Sequence, residues 1–95
     1  MVIERVELAI VAGRETEFEA AMVRGQALLA GAAGCHSVSL ARGIERPDHY
    51  LLMLQWDAVA SHVAFTQTPA FAEFGQLVGP FFAGKPAMEH FAPLA

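Results

Sequence analysis

The 95-residue chain has one cysteine and few charges, and no apolar stretch escapes interruption by a charged or strongly polar residue. Cys35 has no partner for an internal disulfide, so nothing points to an oxidising compartment, and it reads as a small buried residue. No run approaches the roughly 20 apolar residues that cross a bilayer, so a membrane association is not expected. The start, MVIERVELAIV, sets Glu4, Arg5 and Glu7 among its apolar residues and so lacks the form of a secretion signal. A cytoplasmic location is the expectation. The six basic residues, Arg5, Arg14, Arg24, Arg42, Arg46 and Lys85, are scattered under a net charge of −4, which excludes a phosphate-tracking stripe and hence nucleic acid as a partner.

What the chain has in abundance is apolar side chains. They make up 55% of residues against 17% charged, a richer balance than the average soluble domain, so disorder is excluded. The length suits one domain over residues 1–95. A chain this short buries a modest share of its surface alone, which makes association an economical route to a fuller core.

Alternation from Val2 to Val11 places Val6, Leu8 and Ile10 on one side and Arg5, Glu7 and Ala9 on the other, which predicts a strand. After Gly13, the residues Phe18, Ala21, Met22, Gly25, Leu28 and Leu29 recur at helical spacing, with acidic residues loaded at the start. Gly31 to Gly34 breaks this helix, and Cys35 to Arg42 alternates again. Turn-forming residues from Gly43 to Asp48 lead into His49 to Trp56, predicting an antiparallel hairpin. Asp57 is the expected carboxylate cap of the next helix, and Thr68-Pro69 the cap and first position of another. The second piece carries Phe71, Phe74, Val78, Phe81 and Phe82 until Gly79-Pro80 and Gly84-Lys85-Pro86 disrupt it. Ala87 to Phe91 is a short final strand.

The order strand, helix, strand, strand, helix, strand predicts an α+β fold of ferredoxin-like βαββαβ type, with helices on one face of an antiparallel sheet. Tyr50-Leu51-Leu52-Met53-Leu54 is apolar on both faces, so both faces need cover. Helices supply one cover; a second copy of the chain is the expected other, giving a homodimer.

The run Gly13-Arg14-Glu15-Thr16-Glu17-Phe18, then Gly34-Cys35, Tyr50 through Trp56-Asp57, Ala60-Ser61-His62, Pro69-Ala70-Phe71 and Glu89-His90-Phe91 resembles the antibiotic biosynthesis monooxygenase family over nearly the whole chain. That resemblance implies a dimeric α+β barrel with one pocket per subunit between sheet and helices. It also implies a choice of activities: cofactor-independent oxygenation of hydroxylated aromatics to quinones, haem degradation, or no catalysis. In the quinone-forming members a tryptophan ends the third strand, matched by Trp56, and a tyrosine stands six positions on, where this chain has His62. Their asparagine falls on Leu52, and no arginine stands in the second helical region. In the haem-degrading members the iron-ligating histidine falls on Gly75 and a pocket tryptophan on Phe65, so the axial ligand is missing.

His62 is the leading candidate base, since imidazole titrates near pH 6.5, and helical spacing sets it beside Val59 and Val63 on the face expected to turn inward. Trp56 offers a flat surface and an indole donor for an aromatic ligand. Leu52, Phe65, Phe74, Phe81 and Phe82 are the expected apolar wall around that ligand. His36, His49 and His90 show no metal-ligand spacing, there is no glycine-rich phosphate loop, and neither a metal nor a cofactor is expected. The expected function is cofactor-independent oxidation of a hydroxylated aromatic to a quinone. A noncatalytic binding or structural homodimer is the alternative, which accounts for the missing asparagine and arginine, and haem degradation ranks third.

Overall fold

In the computed structural model, which describes residues 1–94, strands β1 (Val2–Ala9), β2 (Cys35–Arg42), β3 (His49–Trp56) and β4 (Ala87–Phe91) form one antiparallel sheet in the order β2-β3-β1-β4. Helices α1 (Glu15–Ala30), α2 (Val59–Phe65) and α3 (Pro69–Val78) connect them, so the expected ferredoxin-like βαββαβ topology is the observed one. A 3-10 turn, Gly79–Phe81, ends α3 where Gly79-Pro80 stops the α-helix.

The helix-facing side of the sheet follows from the period of two. On β3 Tyr50, Leu52, Leu54 and Trp56 are buried, and on β1 Glu4, Val6 and Leu8 are buried. Register pairs Val2 with Trp56, Glu4 with Leu54 and Val6 with Leu52, so these residues share one face. Against them α1 lays Phe18, Met22, Gly25 and Leu29, a stripe at spacings of three and four. The open face carries Ile3, Arg5, Leu51 and Met53, with Phe91 of β4 beside Ile3.

Local signals set most boundaries. Gly13 adopts φ +90° before α1, and its N–H meets both carboxylate oxygens of Glu15 at 2.9 Å. That bond holds the Glu15 carboxyl below its usual range. Gly34 has φ +84°, and a Cβ there would stand 2.7 Å from Ser61 Oγ, so both conformation and packing require glycine. Thr68 caps α3 as expected, its hydroxyl accepting from the Phe71 N–H at 3.3 Å with Pro69 first in the helix.

Four local expectations are corrected. Strand β1 stops at Ala9; Ile10 continues only as an isolated bridge to Phe82, where Val11 N–H donates to the Phe81 carbonyl and Ala83 N–H donates to the Ala9 carbonyl. Asp57 does not cap α2: the cap position is Ala58 with no side-chain bond, and the Asp57 carboxylate pairs with His36 instead. The bulge between Cys35 and Ser37 leaves His36 outside the ladder, free to reach it. Finally, α2 buries His62 and Phe65, whereas Val59 and Val63 lie on its exposed side. Cys35 is half-buried rather than fully buried, and burial pushes its thiol up.

Candidate active site

At the end of the sheet where β1 begins and β3 finishes, three elements and the edge strand bring four polar side chains together. Register places Glu4 of β1 directly opposite His90 of β4, and Trp56 at the neighbouring position of β3. The short helix α2 then drops His62 onto them. The Trp56 indole N–H donates to Glu4 Oε1 at 2.9 Å, and the other carboxylate oxygen lies 3.4 Å from His62 Nε2. The opposite nitrogen of His62, Nδ1, lies 2.8 Å from His90 Nε2. The imidazole of His62 stacks on Trp56 with centroids 5.3 Å apart and planes at 23°.

This cluster is nearly dry. Trp56 is 0% exposed, Glu4 6% and His62 8%, while His90 is half-buried at the sheet edge. A carboxylate in such a place costs free energy unless its oxygens have partners; here one accepts the indole N–H and the other lies within ion-pair distance of His62. Burial pushes the His62 pKa down, the Glu4 carboxylate opposes that shift, and His90 adds to it. His62 is therefore neutral at pH 7, with one nitrogen available to accept a proton. Its two nitrogens point to opposite neighbours, so Glu4, His62 and His90 do not converge on one point as metal ligands would. Among the described residues no group of three or more His, Cys, Asp or Glu is placed to hold a metal ion.

The other expected site residues are distributed. Phe65 joins the cluster, its ring 5.8 Å from Trp56. Leu52 is buried mid-sheet between Val6 and Leu40. Phe74 packs on Gly25, where a Cβ would stand 3.1 Å from its ring. Phe81 lies 6.4 Å from Phe18 and under the Arg14 guanidinium, and Phe82 bridges Ile10, both at the far end of β1. The structure thus groups Trp56, His62 and Phe65, and leaves Leu52, Phe74, Phe81 and Phe82 in separate parts of the core.

Two openings lie at the surface, and of the expected site residues they include Phe65 alone. One of about 230 Å³ lies between the end of α1, α2 and the start of α3, lined by Leu28, Ala32, Ser61, Ala64, Phe65 and Thr68 among others. A groove of about 490 Å³ runs along the open side near the hairpin, lined by Arg5, Arg42, Arg46, Leu51 and Lys85 among others. Phe65 separates the first opening from the Trp56 ring.

Glu4 is the residue that sequence reasoning missed. Its signal was present: an acidic residue in phase with Val6 and Leu8 falls on the buried side of the strand. His90 was visible only as a histidine near the end of the chain, with no spacing to tie it to His62.

The sequence pattern of the family described as antibiotic biosynthesis monooxygenase matches residues 1–77. The chain belongs to this family. Among antibiotic biosynthesis monooxygenase relatives of known structure, a Bordetella bronchiseptica protein assigned to the family is 37% identical with a TM-score of 0.94, over 99% of this chain and 97% of that one. YczJ of Bacillus subtilis, itself uncharacterised, is 32% identical over 92 residues, 96% of this chain and 97% of YczJ. SnoaB of Streptomyces nogalater, a cofactor-independent oxygenase, is 18% identical with a TM-score of 0.82, covering 97% of this chain and 92% of that one. At that identity the likeness is one of fold. No helix among the described residues is long and apolar enough to cross a membrane.

Proposed function

We propose that this family member is a cofactor-independent monooxygenase that oxidises a hydroxylated aromatic molecule to a quinone. The observation that carries the reading is the imidazole pair, His62 and His90 at 2.8 Å, backed by a buried carboxylate. Such a pair takes a proton from a phenolic hydroxyl at neutral pH. The resulting electron-rich anion passes one electron to dioxygen, and the two radicals combine into a peroxide at a ring carbon. Loss of water from that peroxide leaves a second C=O, so one oxygen atom enters the product and the other leaves as water. The electrons come from the substrate.

Trp56 supports this chemistry from beneath. Its N–H is taken by Glu4, and its ring carries the His62 imidazole, so it orients the base. The substrate comes to the His90 side, where Met88, two residues away on the same face of β4, adds exposed apolar surface. The test is oxygen uptake with a panel of naphthols, anthrones and catechols. The native protein is expected to consume oxygen with at least one class, and His62→Ala to lower the rate about 10²-fold or more. Equal rates, or no uptake by either protein, would remove the proposal.

The filled interior favours a second reading, a noncatalytic ligand-binding or structural homodimer. Leu52 and Trp56 are core residues, and the 230 Å³ opening beside Phe65 takes an apolar ligand without reaching His62. Such a protein gains thermal stability from a bound aromatic with no product formed. Under either reading the protein is a cytoplasmic homodimer, its open sheet face of Ile3, Leu51, Met53 and Phe91 covered by a second copy. Sedimentation is expected to give twice the chain mass, and a stable monomer at micromolar concentration would count against it.

A further inference from the structure

We propose that Glu4 is a positioning residue that fixes the tautomer of His62, and that the proton acceptor of the site is Nδ1 of His90, the outer end of a Glu4–His62–His90 relay. The inference rests on the oxidation reading only where it names the atom that takes the substrate proton; the relay itself stands on geometry.

A neutral imidazole carries one N–H, so His62 must choose between its nitrogens. Nε2 faces Glu4 Oε2 at 3.4 Å, and both side chains are nine-tenths or more buried. A bare lone pair on Nε2 would oppose the carboxylate's lone pairs with little water to screen them, whereas Nε2–H is attracted to it. The proton therefore sits on Nε2, and Nδ1 is an acceptor. His90 Nε2, 2.8 Å from that acceptor, must then be the donor. This leaves the lone pair of His90 on Nδ1, and His90 is the half-buried member at the sheet edge.

Position follows from register. Glu4 and His90 are cross-strand partners, and His62 lies over them from α2 with its ring on Trp56. The titratable groups facing His62 are thus Glu4 from β1 and His90 from β4; Arg5 and Glu89 alternate to the open face. When His90 Nδ1 takes the substrate proton, the positive charge stays on the half-buried His90, because burial disfavours a charged His62, while Glu4 keeps the His62 Nδ1 lone pair turned to the His90 Nε2–H. Cleavage of the peroxide needs one proton to form water, and the relay returns the one it received.

Glu4→Gln reverses the logic at constant size. The Gln carbonyl keeps the Trp56 N–H, so its NH2 group turns to His62 Nε2, which must now accept. His62 then carries its proton on Nδ1 and donates to His90 Nε2, forcing the His90 proton onto Nδ1. Long-range proton–nitrogen correlation spectra of ring-labelled histidines read these tautomers directly.

In the native protein at neutral pH both His62 and His90 are expected as Nε2–H forms, and in Glu4→Gln both as Nδ1–H forms. In turnover Glu4→Gln is expected to lower kcat about 10²-fold with KM unchanged, because the base is removed while the binding surface is kept. A native His62 protonated on Nδ1, or unchanged tautomers in the variant, overturns the relay. Should Glu4→Gln fail to fold, the native spectrum decides alone. If the tautomers behave as expected but no substrate consumes oxygen, the relay stands and the oxidation reading falls.

Discussion

The two ends of the helix-facing side of the sheet repeat one device with opposite results. At the start of β3 the Tyr50 hydroxyl donates to Glu19; at the end of β3 the Trp56 N–H donates to Glu4. Each is an aromatic donor on a carboxylate. Glu19, however, is 45% exposed along its side chain and shared with Arg42, a permanent cation. Burial and the Glu19 carboxylate push Tyr50 up to about 12, so its hydroxyl keeps its proton near neutrality. Glu4 is enclosed, and its second oxygen faces an imidazole that can titrate. The hydrogen-bond motif is the same, and enclosure next to a switchable group is what makes one end a candidate for chemistry.

Breaking the aromatic at each end should separate them most widely. Trp56→Ala removes a side chain that is 0% exposed and is expected to cost about 3–5 kcal/mol in urea unfolding, whereas Tyr50→Phe, which keeps the ring, should cost about 1–2. Equal losses would erase the contrast. The carboxylates come next. Glu4→Ala leaves a buried indole N–H without a partner and is expected to cost about 2–3 kcal/mol; Glu19→Ala, at the wet end, should stay near or below about 1.

The smallest effects are those of pH, and they fall on opposite flanks. His62 is held below the usual imidazole value, so below about pH 6.5 the unfolded chain binds a proton that the native state refuses. Stability is therefore complete above that pH and declines as the pH falls; His62→Gln should flatten the decline. Tyr50 is raised, so its contribution is complete below about pH 10 and is lost as the pH climbs towards 12, a loss that Tyr50→Phe should remove. Urea midpoints across the pH range would check both, and an acid flank unaltered in His62→Gln would separate the lowered pKa from this histidine.

The same contrast explains what could be read in advance. Tyr50, Leu52, Leu54 and Trp56 announce their strand by period, and Thr68-Pro69 announces its helix by chemistry, so the element order was legible. Trp56 and His62 were legible as a pair through family resemblance. Val59 and Val63 misled because a seven-residue helix has too few turns for its apolar period to fix a face; packing turned His62 and Phe65 inward instead. Asp57 misled because a carboxylate near a helix start has several possible partners, and His36, displaced by the bulge, was nearer.

Alternation, helical spacing, caps and turn residues by themselves determined the βαββαβ order, since each acts within a few residues along the chain. The cluster of Glu4, Trp56, His62 and His90 joins residues 86 positions apart, and only the register of β4 on β1 and the seating of α2 could decide that they meet. Glu4 carries the lesson in one side chain. The sequence places it in phase with buried neighbours, but whether an acid so placed is a defect or a working part depends on the partners that folding brings to its two oxygens.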